Sequence, residues 1–195
     1  ASADAALAIA RSIGDATAEG DALRALGFAT QYPERSDAFE RATELHETLR
    51  EEAKLAEVLA ARGLFVRYPA DPRQSLALLS RAVQLAVSTG DVRTEIRARG
   101  TQGGQLVARG DIGTAVPHLL QAYEAAKRIG LSRAEAVNAG NLSEALRSGG
   151  DLALAEDYGL RSLDAYRRSN DPHGAAIMLA GLGDIAYDRR DYTRS

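Results

Sequence analysis

Short breaks at a fixed interval of 20 residues constrain what this chain can fold into. Gly-Asp pairs recur with this phase at residues 90–91, 110–111 and 150–151, and degenerate pairs at 130–131, 170–171 and 190–191. Glycine or asparagine suits the end of a helix because it adopts a left-handed backbone at little cost. Aspartate suits the next start because its carboxylate accepts the free N–H groups of a first turn. The pattern therefore predicts a solenoid of helix pairs, with helices of about 16 residues.

Between these breaks the sequence predicts an all-α chain, because no segment shows the two-residue alternation of a strand. The expected helices cover residues 1–13, 16–32, 35–50, 52–68, 72–89, 92–109, 112–129, 133–148, 152–168 and 173–189. Three starts carry further signals: the cap-proline pairs Asp71-Pro72 and Asp171-Pro172, and the capping-box spacing of Ser132 and Glu135.

The domain prediction is a single repeat domain over residues 1–195. Residues 1–14 read as the end of a preceding helix, and residue 191 as the opening of another, so we expect a fragment of a longer protein. The predicted repeats cover residues 16–50, 52–90, 92–130, 132–170 and, in part, 172–195.

Composition excludes several classes of function. The chain has 195 residues and a net charge of −3, which argues against direct nucleic-acid binding by this segment. It has no cysteine, and therefore no disulfide, thiolate nucleophile or cysteine zinc site. No apolar run reaches the length of a membrane span and no signal peptide is visible, so we expect a cytoplasmic protein.

The residues that could carry chemistry are scattered. The three histidines, His46, His118 and His173, fall in different repeats, and none has a second metal ligand at helical spacing. Asp184 and Asp188 share one helix face, but a solvated acidic patch explains them better than acid–base catalysis. The sequence therefore predicts no catalytic residue, no metal site and no cofactor.

The residues at the helix crossings point to a known family. Small or apolar residues recur at one position of the first helices, and partners follow twelve residues later on the second helices: Gly27, Gly63, Gly103, Ser143 and Gly183, then Phe39, Ser75, Ala115 and Ala155. The pattern resembles the tetratricopeptide repeat (TPR), although the signature Trp and Tyr are missing and the period is about 40 instead of about 34. The resemblance implies a right-handed α-solenoid of about ten antiparallel helices.

Two stretches resemble a particular parent class. Residues 124–131 and 141–147 are similar to the helical-repeat regions of large bacterial regulators, which carry an ATPase module and often a DNA-binding module on the same chain. The resemblance implies a domain of a bacterial transcriptional regulator that binds a protein or peptide, or other domains of its own chain.

The concave face of such a solenoid is lined by the first helices and is the expected binding surface. The predicted binding residues are Arg24, Phe28, Tyr32, Arg67, Tyr68, Glu144, Arg147, Asp184 and Tyr187. Tyr32 and Tyr68 are equally explained by packing against the prolines that follow them. Gly100 and Gly104 either leave a pocket or tighten the curvature.

The sequence thus predicts a non-enzymatic module for protein or peptide interaction or for signal relay. Two alternatives remain open: a stand-alone scaffold or adaptor, and a groove that senses a small molecule. Self-association through exposed terminal helices is also expected.

Overall fold

A computed structural model describes residues 2–31, 33–65 and 72–192. These residues form ten α-helices, which confirms the all-α prediction. The helices are α1 (Ala3–Ile13), α2 (Ala16–Ala29), α3 (Glu34–Thr48), α4 (Glu52–Phe65), α5 (Pro72–Thr89), α6 (Val92–Ala108), α7 (Ile112–Arg128), α8 (Ser132–Ser148), α9 (Leu152–Arg168) and α10 (Pro172–Tyr192).

The breaks between helices use the predicted chemistry. Left-handed glycines stand at Gly14, Gly90, Gly110, Gly130 and Gly150, with φ between 70° and 85°. Asn170 and Arg50 adopt the same conformation without the freedom of glycine, at φ 52° and φ 57°. A cap aspartate then accepts the N–H three residues ahead at Asp15, Asp91, Asp111, Asp151 and Asp171.

Two local predictions are wrong, and a third lies outside the described residues. Ser132 is the first residue of α8 instead of its cap, and Glu135 turns away to pair with Arg168, so the capping box is wrong. The break expected at residues 190–191 is also wrong, because α10 continues to Tyr192 where no glycine or asparagine favours a stop. The cap expected at Asp71 lies outside the described residues.

The chain divides into two compact units, Ala1–Ala98 and Arg99–Ser195, and the division falls inside α6. In the first unit, α1 to α5 pack each on the next along the chain. In the second, α7 to α10 do the same, and α10 also touches α8. Packing between consecutive helices is the arrangement expected of α-solenoid repeats.

Each hairpin is closed by a size match at its crossing. A Cβ at Gly63 would overlap Leu79, and one at Gly103 would overlap Leu119, so the leucine occupies the space that the glycine leaves. In the α8–α9 hairpin the larger residue is on the other helix: Ser143 stands in place of the glycine, and Gly159 in place of the leucine. A Cβ built at Gly159 would lie 3.2 Å from the Ser143 Oγ. The small residues predicted at these crossings are confirmed.

Candidate interaction surface

Six of the predicted binding residues fall in the described ranges, and all six lie on the first helices of the hairpins: Arg24, Phe28, Glu144, Arg147, Asp184 and Tyr187. We call their side of α2 and α4, in the first unit, and of α8 and α10, in the second, the first-helix face. Side-chain ion pairs link successive first helices in both units, which places these helices next to each other.

In the first unit, two ion pairs cross from α2 to α4. The Arg24 guanidinium lies 3.2 Å from a Glu57 carboxylate oxygen. The Lys54 ammonium donates to Asp21 at 2.5 Å. All four side chains are partly exposed, so each pair contributes little to stability and can be exchanged for a ligand contact.

Phe28 serves the core as well as the surface. The residue is 42% exposed. Its ring nevertheless makes edge contacts with the rings of Phe39 and Phe65, at centroid distances of 5.6 and 5.5 Å. The Arg35 guanidinium covers the Phe65 ring at 4.3 Å. Sequence reasoning missed this cluster, although all three phenylalanines of the chain fall between residues 28 and 65.

The predictions for Tyr32, Arg67 and Tyr68 lie outside the described residues. They remain predictions, as does the alternative in which the two tyrosines pack against prolines.

In the second unit, Arg147 holds two carboxylates together. Its Nε and Nη2 donate to both oxygens of Glu144 at 3.1 and 3.0 Å, and its Nη1 donates to Asp188 of α10 at 2.9 Å. These hydrogen bonds, first to Glu144 and then to Asp188, raise the pKa of Arg147 above its usual value. Arg147 was predicted as an anchor for a partner, but here three of its five N–H groups already donate to Glu144 and Asp188.

Next to this cluster, α10 exposes Asp184 and Tyr187, the latter 67% accessible. Ile177, about two turns before Asp184 on the same helix, is 60% exposed. With Glu144, Arg147 and Asp188, the patch holds three carboxylates and one guanidinium. The surface therefore combines exposed apolar side chains with an excess of negative charge.

Gly100 does not leave an open pocket. A Cβ there would overlap the amide oxygen of Asn138, a side chain of α8 that is buried and donates its own N–H to the Ala134 carbonyl at 2.8 Å. A Cβ built at Gly104 would lie 3.6 Å from the amide nitrogen of Asn141, which is an ordinary van der Waals distance. The glycines of α6 thus let asparagine side chains of α8 approach the helix backbone.

Within the described ranges, no group of three or more His, Asp, Glu or Cys residues is arranged so that it could hold a metal ion. His46 is fully buried, and its Nδ1 contacts Glu51 at 2.7 Å. Glu51 also accepts the Thr17 hydroxyl at 2.6 Å, and this bond above all lowers its pKa. The cluster joins α2 to the start of α4 and was missed in the sequence.

No helix in the described part of the chain combines the length and apolarity needed to cross a bilayer.

Comparison with known proteins supports the fold. A solved structure of a Rap protein complexed with competence and sporulation factor matches with a TM-score of 0.71 at 18% sequence identity. The match covers 92% of this chain and 50% of the Rap chain. Together with the ten helices and their hairpin packing, it establishes a TPR-like helical repeat and an α-solenoid for this chain.

Comparison of sequences supports fewer conclusions than the structural match does. Alanine–tRNA ligase of Nocardia farcinica (strain IFM 10152) is 31% identical over 140 residues, which are 70% of this chain. The chain spans only 15% of the length of that ligase. No model of a known protein family matches the chain.

Proposed function

We propose that this chain is a non-enzymatic interaction module that binds a segment of another protein on its first-helix face. The observation that carries the proposal is the patch of the second unit, in which Ile177 and Tyr187 are exposed beside Asp184 on α10. Aromatic anchors beside charged side chains are typical of interfaces. The Rap protein that shares the fold is solved with a bound factor, which supports a binding role for this fold.

The charge of the patch indicates the kind of segment. Glu144 and Asp188 are already paired with Arg147, while Asp184 is exposed. A segment that places Lys or Arg at Asp184 and an apolar side chain at Ile177 satisfies both parts of the surface. The acidic excess disfavours an acidic segment at the same place.

The proposal places the module in the cytoplasm, within a bacterial transcriptional regulator. Its support is the likeness of residues 124–131 and 141–147 to such proteins. Binding at the first-helix face would then be relayed to other domains of the same chain. The match to the ligase covers too little of that enzyme to support a catalytic role.

A displayed library of random peptides, selected on the purified chain, tests the binding role. The expected consensus pairs a basic residue with an apolar one, and binding weakens as salt rises. The variant Asp184→Asn should reduce affinity about threefold, as expected from one partly exposed charge contact. Glu124→Gln, which removes one exposed charge from α7, is the matched control.

Failure to select any peptide, or selected peptides that bind the Asp184→Asn variant unchanged, would refute the proposal. Sequencing the flanking reading frame tests the regulator context separately, because an ATPase or DNA-binding module is expected there.

A further inference from the structure

Two rows of side chains run across the first-helix face of the second unit. Val137 on α8 and Ile177 on α10, 41% and 60% exposed, occupy equivalent positions of the repeat and form what we call the apolar row. Glu144 and Asp184, also exposed and equivalent, follow seven residues later on the same helices and form the acidic row. Because an α-helix rises about 1.5 Å per residue, the two rows lie about 10 Å apart along the helices.

Contacts hold α8 and α10 side by side at both rows. Near the apolar row, a Cβ at Gly140 of α8 would lie 3.7 Å from the Met178 sulfur of α10. Near the acidic row, the Arg147 guanidinium donates to Asp188 of α10 at 2.9 Å. The axes of packed helices lie about 8–10 Å apart, so each row offers two contact points separated by about that distance.

The exposure of these rows does not depend on where the sequence ends. Val137 and Glu144 are exposed although α9 and α10 follow α8 and pack against it. Ile177 and Asp184 hold the same positions on α10, so a further repeat packed in the same way would leave them exposed too. The rows therefore belong to the first-helix face itself.

The repeat does not require this arrangement of residue types. At the equivalent positions of the first unit, Asp21 and Glu57 stand in place of the apolar row, and Phe28 and Leu64 stand in place of the acidic row. Packing between the helices thus tolerates either type of side chain at either position. The two rows are a property of the surface of the second unit, where they are available for recognition.

The spacing within each row indicates the conformation of the bound segment. A polyproline II chain has three residues per turn and rises about 3.1 Å per residue, so residues i and i+3 lie on one side about 9 Å apart. This distance matches the contact points of a row, whereas residues i and i+2 of a β-strand span only about 7 Å. A helical segment in the same direction would cross α8 and α10 nearly at right angles, which is a rarer packing geometry.

Arg147 makes the two carboxylates of the acidic row unequal. Its Nε and Nη2 donate to both oxygens of Glu144, and its Nη1 donates to Asp188. Glu144 is thereby compensated by a cation of its own helix, whereas none of these bonds reaches Asp184. A basic side chain of a bound segment therefore gains more at Asp184 than at Glu144.

On the basis of the segment site proposed above, we propose that its ligand is a polyproline II stretch with two apolar residues three positions apart and a single basic residue. The apolar residues contact Val137 and Ile177, and the basic residue contacts Asp184. Arg147 is the specificity-determining residue, because it compensates Glu144 and so removes the gain from a second basic residue three positions away.

Fluorescence anisotropy of labelled peptides tests the spacing. The first probe contains Leu-Ser-Pro-Leu-Lys-Pro, with leucines three positions apart, and the second contains Leu-Ser-Ser-Pro-Leu-Lys-Pro, with leucines four apart; each is also synthesised in reverse order. The first probe should bind about threefold more tightly than the second in one of its two orders. Val137→Ser should weaken its binding about threefold. Leu120→Ser, which replaces an apolar residue of α7 that is 38% exposed, should leave it unchanged.

A third probe, Leu-Lys-Pro-Leu-Lys-Pro, tests the role of Arg147. The unchanged protein should bind it no more tightly than the first probe. Arg147→Gln releases the Glu144 carboxylate, so this variant should bind the third probe about threefold more tightly than the first. Arg147→Lys keeps the cation and should restore equal binding, and the double variant Arg147→Gln, Glu144→Gln should lose the gain. A merely structural role of Arg147 would change the affinities for both probes alike.

Three results would overturn the proposal: equal affinity for the two leucine spacings, a preference of the unchanged protein for the two-lysine probe, or tighter binding of a helical peptide with leucines seven positions apart. The last would assign the rows to a helix. Circular dichroism checks that each variant is folded, and the spacing test requires no change at Arg147. The segment site itself stands as long as Asp184→Asn weakens a selected peptide; if Asp184→Asn changes no binding, the function proposed above fails as well.

Discussion

At the scale of single residues, the crossings depend on pairs of positions sixteen residues apart that share one space. Gly103 and Leu119 form such a pair, and Ser143 and Gly159 form it with the sizes exchanged. The sequence identified the small residues at the crossings. It predicted that leucines fill the remaining space, but not which leucine packs against which glycine. Which side chain fills which gap was decided by tertiary contacts, since close packing leaves no room for two large residues at one crossing.

Replacing Gly103 with Ala should destabilise the fold by about 1–3 kcal/mol, since the added methyl overlaps the buried Leu119. Urea unfolding followed by circular dichroism measures the change. Gly113→Ala is the matched control on an open, helical site and should stabilise by about 0.5 kcal/mol. The double variant Gly103→Ala, Leu119→Ala should be more stable than the sum of the single effects predicts; strict additivity would contradict the shared space.

Thr17→Val should raise the pKa of Glu51, because the Thr17 hydroxyl is the main cause of its lowered value. A lowered folded-state pKa contributes stability above the unfolded value, near 4.5, and this stability is lost as the pH falls through the folded pKa. NMR titration of the Glu51 carboxyl measures the shift. Thr48→Val, whose hydroxyl bonds only to the Glu44 carbonyl in its own helix, is the control. An unchanged Glu51 pKa in the Thr17 variant would contradict the assignment.

At the scale of helices, starts and stops follow the local sequence closely. Asp151 accepts the Leu154 N–H at 3.1 Å and begins α9, as its Gly-Asp context predicts. Leu131 occupies the equivalent place before α8 with nearly the same backbone angles, yet it offers no side-chain cap. Backbone geometry is therefore set by the left-handed residue before the cap, and the aspartate adds stability to a turn that forms without it.

Asp151→Ala should cost about 1 kcal/mol of unfolding free energy, the usual cost of losing a cap. Asp151→Asn keeps an acceptor and should cost only a fraction of that. Thermal or urea unfolding compares the two variants. Equal losses from both would show that the carboxylate acts through its charge at the helix end and not through its hydrogen bond.

At the scale of the whole molecule, most of the described contacts within each unit join helices that are neighbours along the chain, and the others reach the next first or second helix. A repeat protein built this way has no single core, and its stability is a sum of local terms. The first unit has its own apolar cluster around Leu23, Phe39 and Val58. A destabilising change should therefore act mainly near its own repeat.

Hydrogen exchange measured on Gly103→Ala tests this locality. Amides of α7 and α8 should exchange faster, while those of α2 and α3 should keep their protection. Gly27→Ala, which would overlap the Phe39 ring, should give the reverse pattern. A uniform increase throughout the chain in either variant would instead show that it unfolds as one cooperative unit.

The sequence by itself determined the fold class, the number of helices and most of their ends, because left-handed glycines and cap aspartates act within a few residues. It also located the small residues of the crossings, since these recur with the repeat. Only the tertiary structure decided that Arg147 is occupied by Glu144 and Asp188, that Phe28 belongs partly to the core, and that Gly100 receives Asn138. Apart from the Arg147–Glu144 pair, which lies within one helix, those contacts join residues of different helices. The spacing of a repeat does not specify which side chain of another helix reaches which.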